Sequence, residues 1–238
     1  MRNESSLKLN LAIFAYVVVA MLFCANSSPF INTTGTDSSV FRVMGRAMVA
    51  GKIMYKDVFD HKGLYLYVIN ALGVLITGKS LIGLFILECV FMFLCARTVY
   101  SILLNYADRK KALMGTQIFM LFALLRGVLE GGNLTEEYGL LFQVLSVYIL
   151  VKDDGKFLCL HTFLHGVCVV IVICLRPNIV MMWGGIAVIA GYEMLRQKKF
   201  ARLAGNITAG ISGVMIGIAP AMIYALMTDS LSDMMFGM

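Results

Sequence analysis

Leu64-Tyr65-Leu66-Tyr67-Val68-Ile69-Asn70-Ala71-Leu72-Gly73-Val74-Leu75-Ile76-Thr77 is the stretch on which the architecture turns. It is almost wholly apolar, yet a membrane-crossing helix needs roughly 20 apolar residues. Wound as a helix at about 1.5 Å per residue, this stretch reaches only about 21 Å. Whether it crosses decides which face every later loop occupies.

The surrounding chain is strongly apolar. Of 238 residues, 60% are hydrophobic and 14% charged, against about 45–50% and about 25% in soluble domains. Further apolar runs occupy 9–25, 80–96, 112–129, 138–151, 157–175, 178–195 and 203–227. If 64–77 stays on one side, the basic groups Arg2/Lys8, Arg97 to Lys111, Lys152/Lys156 and Arg196 to Arg202 all share one face. Basic loops mark the cytoplasmic face. If 64–77 crosses, Arg109-Lys110-Lys111 and Arg196-Gln197-Lys198-Lys199 move outside. The sequence therefore predicts an all-α polytopic membrane protein with about seven transmembrane helices and a cytoplasmic N-terminus. Residues 1–238 form a single transmembrane module, and 64–77 is an interfacial or re-entrant helix outside. The net charge of +6 then reports topology, and no nucleic-acid partner is expected. Run 9–25 lacks a small-x-small cleavage site after it, so it reads as an uncleaved first span. The six cysteines lie in or beside apolar runs without CxxC spacing and read as small buried hydrophobes.

This topology leaves one long outer loop, 26–79, between the first and second spans. Within it, Val40, Met44, Ala47 and Met48 share one helical face and Arg42 and Arg46 another, the pattern of a helix lying in the interface plane. Two juxtamembrane helices, roughly 37–50 and 62–77, are expected. Shorter outer points are 130–137 and Arg176-Pro177-Asn178.

Charged groups able to do chemistry gather on this outer face. Asp37 has two readings: an N-cap, or a general base that takes a proton from an acceptor hydroxyl. His61 and Lys62 either anchor in the interface or hold a phosphate, with Lys62 as a compact point charge. Glu136 and Glu137 are either first-turn acids or a second acidic element facing Asp37. Arg176 either snorkels or grips a lipid phosphate with its guanidinium fork. Asp57 and Asp60 complete the candidates. A divalent cation on these oxygens is possible chemistry, but the acids alone do not identify one. Glu88, His161, His165 and Glu193 read as isolated polar groups in or near spans.

The ordered set Gly35-Thr36-Asp37-Ser38-Ser39-Val40-Phe41, Gly51, Tyr55, Asp57, Phe59-Asp60-His61-Lys62-Gly63, Gly132-Asn133-Leu134-Thr135-Glu136-Glu137-Tyr138 and Arg176-Pro177-Asn178 resembles the C-type membrane glycosyltransferases. It is most similar to the bacterial family-39-like branch related to protein O-mannosyltransferases and aminoarabinose transferases. The resemblance implies a bacterial plasma-membrane enzyme that takes a sugar from a polyprenyl-phosphate donor, among membrane lipids, and passes it to an extracytoplasmic acceptor with inversion. It implies Asp37 as the catalytic acid/base and Glu136 or Glu137 as the second acid. Lys62 and Arg176 would be the contacts to the donor phosphate. The family has proline where this chain has Leu64, and its members run longer. The chain thus corresponds to the N-terminal module, and a partner supplying further C-terminal spans is an implied possibility. Two other readings are an inactive or partner-dependent assembly subunit and a lipid or solute transporter. A transporter would place its charges near the midplane of broken helices; here they gather on one face.

Overall fold

The computed structural model describes residues 2–237, with side chains from Leu7 onward; the Arg2 side chain, part of the orientation argument above, lies outside the described residues. Among the described residues eleven α-helices follow one another: α1 Arg2–Cys24, α2 Thr36–Val49, α3 Leu64–Thr77, α4 Ile82–Leu103, α5 Arg109–Ala123, α6 Arg126–Leu129, α7 Thr135–Asp153, α8 Cys159–Ile173, α9 Met181–Arg196, α10 Phe200–Met227 and α11 Leu231–Gly237. Among the described residues no strand forms; one isolated bridge pairs Met54 with Val58. Among the described residues three helical stretches are long and apolar enough to cross a membrane: Leu7–Cys24, Ile82–Leu103 and Phe200–Met227. Their outward faces carry large apolar side chains such as Phe23, Ile211 and Met215, which hydrocarbon solvates and water does not.

The chain divides into two compact units, Met1–Lys52 with Tyr67–Val144, and Ile53–Leu66 with Leu145–Met238. In the first unit, Ile13, Val17 and Met21 recur every four residues and form the buried stripe of α1. They join Phe85, Cys89, Met92 and Ala96 of α4 and Ala112 and Met120 of α5 in one apolar core. Arg97 Nε donates to Asn10 Oδ1 at 2.9 Å and ties α4 to α1. Asp108 caps α5 by accepting from the Lys110 and Lys111 amides, both at 3.0 Å. The apolar run 112–129 is not one helix. It breaks at Leu124 and Leu125, between α5 and the single turn α6.

The two helices expected in the stretch 26–79 form within a residue or two of the expected positions. The buried face of α2 differs, however. Ser38, Phe41, Met44 and Gly45 are covered, whereas Val40 is exposed. The reason is Gly45, where a Cβ would meet the Asn70 backbone at 2.6 Å. Only a residue without a side chain lets α2 lie this close to α3, and that contact sets its rotation. Arg42 and Arg46 both donate to the Lys79 carbonyl.

In the second unit α8 and α10 meet backbone to backbone. A Cβ at Gly166 would lie 2.3 Å from the Gly210 oxygen, and one at Gly213 would lie 2.1 Å from the Phe163 oxygen. Small residues at a helix seam are how helices associate closely in lipid. Trp183 on α9 donates its indole N–H to Ser146 Oγ on α7 at 3.0 Å.

Candidate functional site

Asp37 stands in the first turn of α2, and the cap itself is Gly35, which makes no side-chain cap bond. The capping reading of Asp37 therefore shifts: its carboxyl is exposed at the positive end of a helix. The next residue, Ser38, is buried and fastened. Asn133 Nδ2 donates to Ser38 Oγ at 2.9 Å and to Asn70 Oδ1 at 3.0 Å. Asn70 returns a bond to Asn133 Oδ1 at 3.1 Å, and the Tyr138 hydroxyl donates to the same oxygen at 3.0 Å. Ser38, Asn70, Asn133 and Tyr138 are each nearly inaccessible. A buried polar group tolerates this only when its bonds are made, so these side chains hold the base of α2 in one position.

The loop that supplies Asn133 is left-handed over four consecutive residues: Glu130 (φ 49), Gly131 (φ 92), Gly132 (φ 96) and Asn133 (φ 55). Glycine and asparagine are the residues that enter this region most readily. The space is also closed, since a Cβ on Gly131 would meet the Asn26 side chain at 2.3 Å. Asn26 itself accepts no stray role: its amide N–H bonds the Gly131 carbonyl at 2.7 Å and its side chain donates to the Glu130 carbonyl at 3.0 Å.

Beneath this loop lie two buried carboxyls. Glu137 Oε2 accepts the Asn133 amide at 2.6 Å, and Glu88 Oε2 accepts the Ser27 hydroxyl. Both close on the place a Gly132 Cβ would occupy, Glu88 Oε1 at 2.5 Å and Glu137 Oε2 at 3.3 Å. A void of about 10 Å³ adjoins Glu137, about the size of one water. Glu136 behaves differently from its neighbour. It is half-buried and accepts from Thr135 Oγ1 at 2.8 Å. Adjacent positions on a helix point about 100° apart, so one acid of the pair enters the core and the other does not. Glu88 was not singled out as a site residue from sequence, because its partners Ser27 and Glu137 are remote along the chain.

In the second unit the segment 53–63 is folded by its own polar groups. Asp57 Oδ2 accepts the Ile53 amide at 2.8 Å, and Tyr55, at φ 69, donates its hydroxyl to the Lys62 carbonyl at 2.7 Å. The Met54 amide donates to the Tyr224 hydroxyl at 2.9 Å. Asp57 thus serves the turn. Asp60 is half-buried and His61 exposed, its ring edge-on to Phe59 at 5.1 Å. Lys62 and Arg176 are brought to neighbouring positions by main chain. Gly63 N donates to the Leu175 carbonyl, and Tyr65 N to the Cys174 carbonyl, both at 3.0 Å. A Cβ on Gly63 would sit 2.0 Å from the Cys174 oxygen. Both cations are half-buried.

The arrangement offers an exposed carboxylate on a polar footing in one unit, and two half-buried cations on segments paired by main-chain hydrogen bonds in the other. No group of three His, Cys, Asp or Glu able to hold a metal ion occurs among the described residues. Compared with family models, characterised proteins and solved structures, the chain matches none.

Proposed function

We propose that this chain is a membrane glycosyltransferase module of the C type, using a polyprenyl-phosphate sugar as donor and an acceptor hydroxyl outside the cytoplasm of a bacterium. The observation that carries this reading is the pairing of motif segments distant in sequence. Ser38 of the Asp37 motif bonds Asn133 of the Glu136-Glu137 motif, and Gly63 of the His61-Lys62 motif bonds Leu175 beside Arg176. Within each unit separately, segments far apart in sequence are held at fixed geometry, as functional groups carried on a scaffold require.

In the proposed topology α1, α4, α5 with α6, α7, α8, α9 and α10 are about seven spans, and α2 and α3 lie on the outer surface. Asp37 takes the acceptor hydroxyl proton as that oxygen attacks the anomeric carbon. The bond from that carbon to the phosphate oxygen breaks, and the electron pair leaves with the lipid phosphate. Lys62 and Arg176 stabilise the charge that develops there. Glu137 acts through Asn133 as a positioning group, and Glu136 is the accessible acid of the pair.

The test is polyprenyl-phosphate binding to the chain in nanodiscs, followed by sugar transfer with any partner that restores it. Saturable binding lost in the Lys62→Ala/Arg176→Ala variant is the expected result, as is transfer abolished by Asp37→Asn with binding kept. Binding indifferent to both cations would sink the assignment.

A further inference from the structure

The second unit contains a cavity of about 350 Å³ among α7, α8, α9 and α10. Its walls are mostly apolar, with Val169, Trp183, Ile186 and Val214 among them. The α8/α10 side is stiff, because those helices touch at Gly166 and Gly213, where there is no room for a methyl. Ile189 lines the cavity and is itself 65% exposed, beside the exposed Val188 and Tyr192. The mouth therefore lies on the apolar outer face of α9.

Five polar side chains line the cavity, and four of them have hydrogen-bond partners. Asp153 accepts the Phe157 amide at 2.6 Å and the Leu158 amide at 3.0 Å, and pairs with His161 Nδ1 at 2.5 Å. Thr162 donates to Asn206. The Trp183 N–H is bonded to Ser146. His165 is the exception: it is 9% exposed, and its Nδ1 is buried without a hydrogen-bond partner. A buried polar atom left without a bond is destabilising, and a ligand that supplies one is favoured.

We propose that this cavity binds the aliphatic chain of a neutral, hydroxyl-headed lipid, with the hydroxyl on His165. A hydroxyl both donates and accepts, so it satisfies a neutral imidazole in either tautomer. An anionic head would meet the Asp153 carboxylate and no Lys or Arg in the lining. An ammonium head would find the Asp153 oxygens already engaged. The volume is at the low end for small-molecule sites, about 300–1,000 Å³, and suits one chain.

Trp183 is the only tryptophan of the chain and lines the cavity, so it reports occupancy directly. The chain in nanodiscs is titrated with 11-bromoundecan-1-ol, with 11-bromoundecanoic acid and 1-bromoundecane alongside. Expected is saturable quenching by the alcohol and only shallow, non-saturating quenching by the other two. His165→Phe should weaken the saturable phase about tenfold, as loss of one hydrogen bond in an apolar site implies. Ala187→Phe, which fills the cavity, should remove it. Ala190→Phe repeats the block if the first variant fails to keep its emission maximum and elution volume. Quenching linear in mole fraction for all three probes would mean bulk lipid only and would overturn the proposal. So would equal saturation by the acid or the alkane, or an unchanged response in His165→Phe.

Discussion

In the first unit, the buried polar ties are made by side chains: Ser38, Asn70 and Tyr138 converge on Asn133, and Ser27 reaches Glu88, beside the main-chain contacts of Gly45 on Asn70 and Asn26 on Gly131. In the second unit the closest approaches are main chain on main chain, Gly63 on Leu175, Gly166 on Gly210 and Gly213 on Phe163, with side-chain ties such as Trp183 to Ser146 beside them. The two kinds of tie fail in opposite ways. A side-chain tie is broken by taking atoms away, and the stranded partners remain buried. A main-chain tie is broken by adding atoms, since the contact exists only where a side chain is missing.

The largest effect should come from adding a methyl to the second kind. Gly63→Ala puts a carbon 2.0 Å from the Cys174 oxygen, an overlap that only backbone movement relieves. It should destabilise by about 3 kcal/mol or more, read as a lowered midpoint in thermal or denaturant unfolding in detergent. Retention of the wild-type midpoint would remove the distinction between the two units.

Next is Asn133→Ala, which strands Ser38, Asn70 and Tyr138 together and places alanine at φ 55. A loss of about 2–3 kcal/mol is expected. Asn133→Gly sharpens the reading, because glycine keeps the left-handed backbone and deletes only the bonds. If glycine restored full stability, the loop conformation rather than the side-chain network would be the tie.

Trp183→Phe probes the side-chain bond from α9 to α7 in the second unit. It leaves Ser146 Oγ buried without its donor and should be worth about 1–2 kcal/mol. A loss as large as that from Gly63→Ala would mean that side chains dominate there too.

The smallest effect is at Asp108, the exposed cap of α5. Its carboxyl is held below the usual carboxylate range by the Lys111 amide, then by the Lys111 ammonium and the Lys110 amide. A lowered folded value means its contribution is present above the unfolded value of about 3.9 and fades as pH falls through the folded one. Asp108→Ala should lower the unfolding midpoint slightly at pH 7. The difference should vanish in strong acid, where the wild-type carboxyl is also protonated. A difference that persists there would point to helix propensity rather than to capping.

Helix positions were legible wherever an apolar run ended in polar or turn-forming residues. The stretches 37–50 and 62–77 became Thr36–Val49 and Leu64–Thr77 for that reason. The rotation of α2 was not legible, because Gly45 sets it through contact with a backbone on another helix. The break after Ala123 carries no proline or glycine at the break itself, and α11 is a short turn after the last long apolar run. Of the site residues, Asp37, Lys62 and Arg176 stood out as charges in polar context. The buried partners Asn70 and Glu88 did not, because each looks like an interruption in an apolar run until remote groups arrive. The run Gly131-Gly132-Asn133 was the one available hint that a left-handed loop needed a buried anchor.

The glycine seam between α8 and α10 also bears on the order of events during synthesis. On the proposed topology α8 has 15 residues, fewer than the roughly 20 a solitary span requires, and it carries His161 and His165. Its backbone partner Gly213 follows Gly166 only after α9 has been made. At roughly 5–20 residues per second, α8 waits on the order of several seconds for the surface it packs against. During that interval it must be sheltered by the insertion machinery or stay shallow in the bilayer. Slowing translation between codons 174 and 213 should therefore lower the yield of inserted protein more than an equal pause after codon 227.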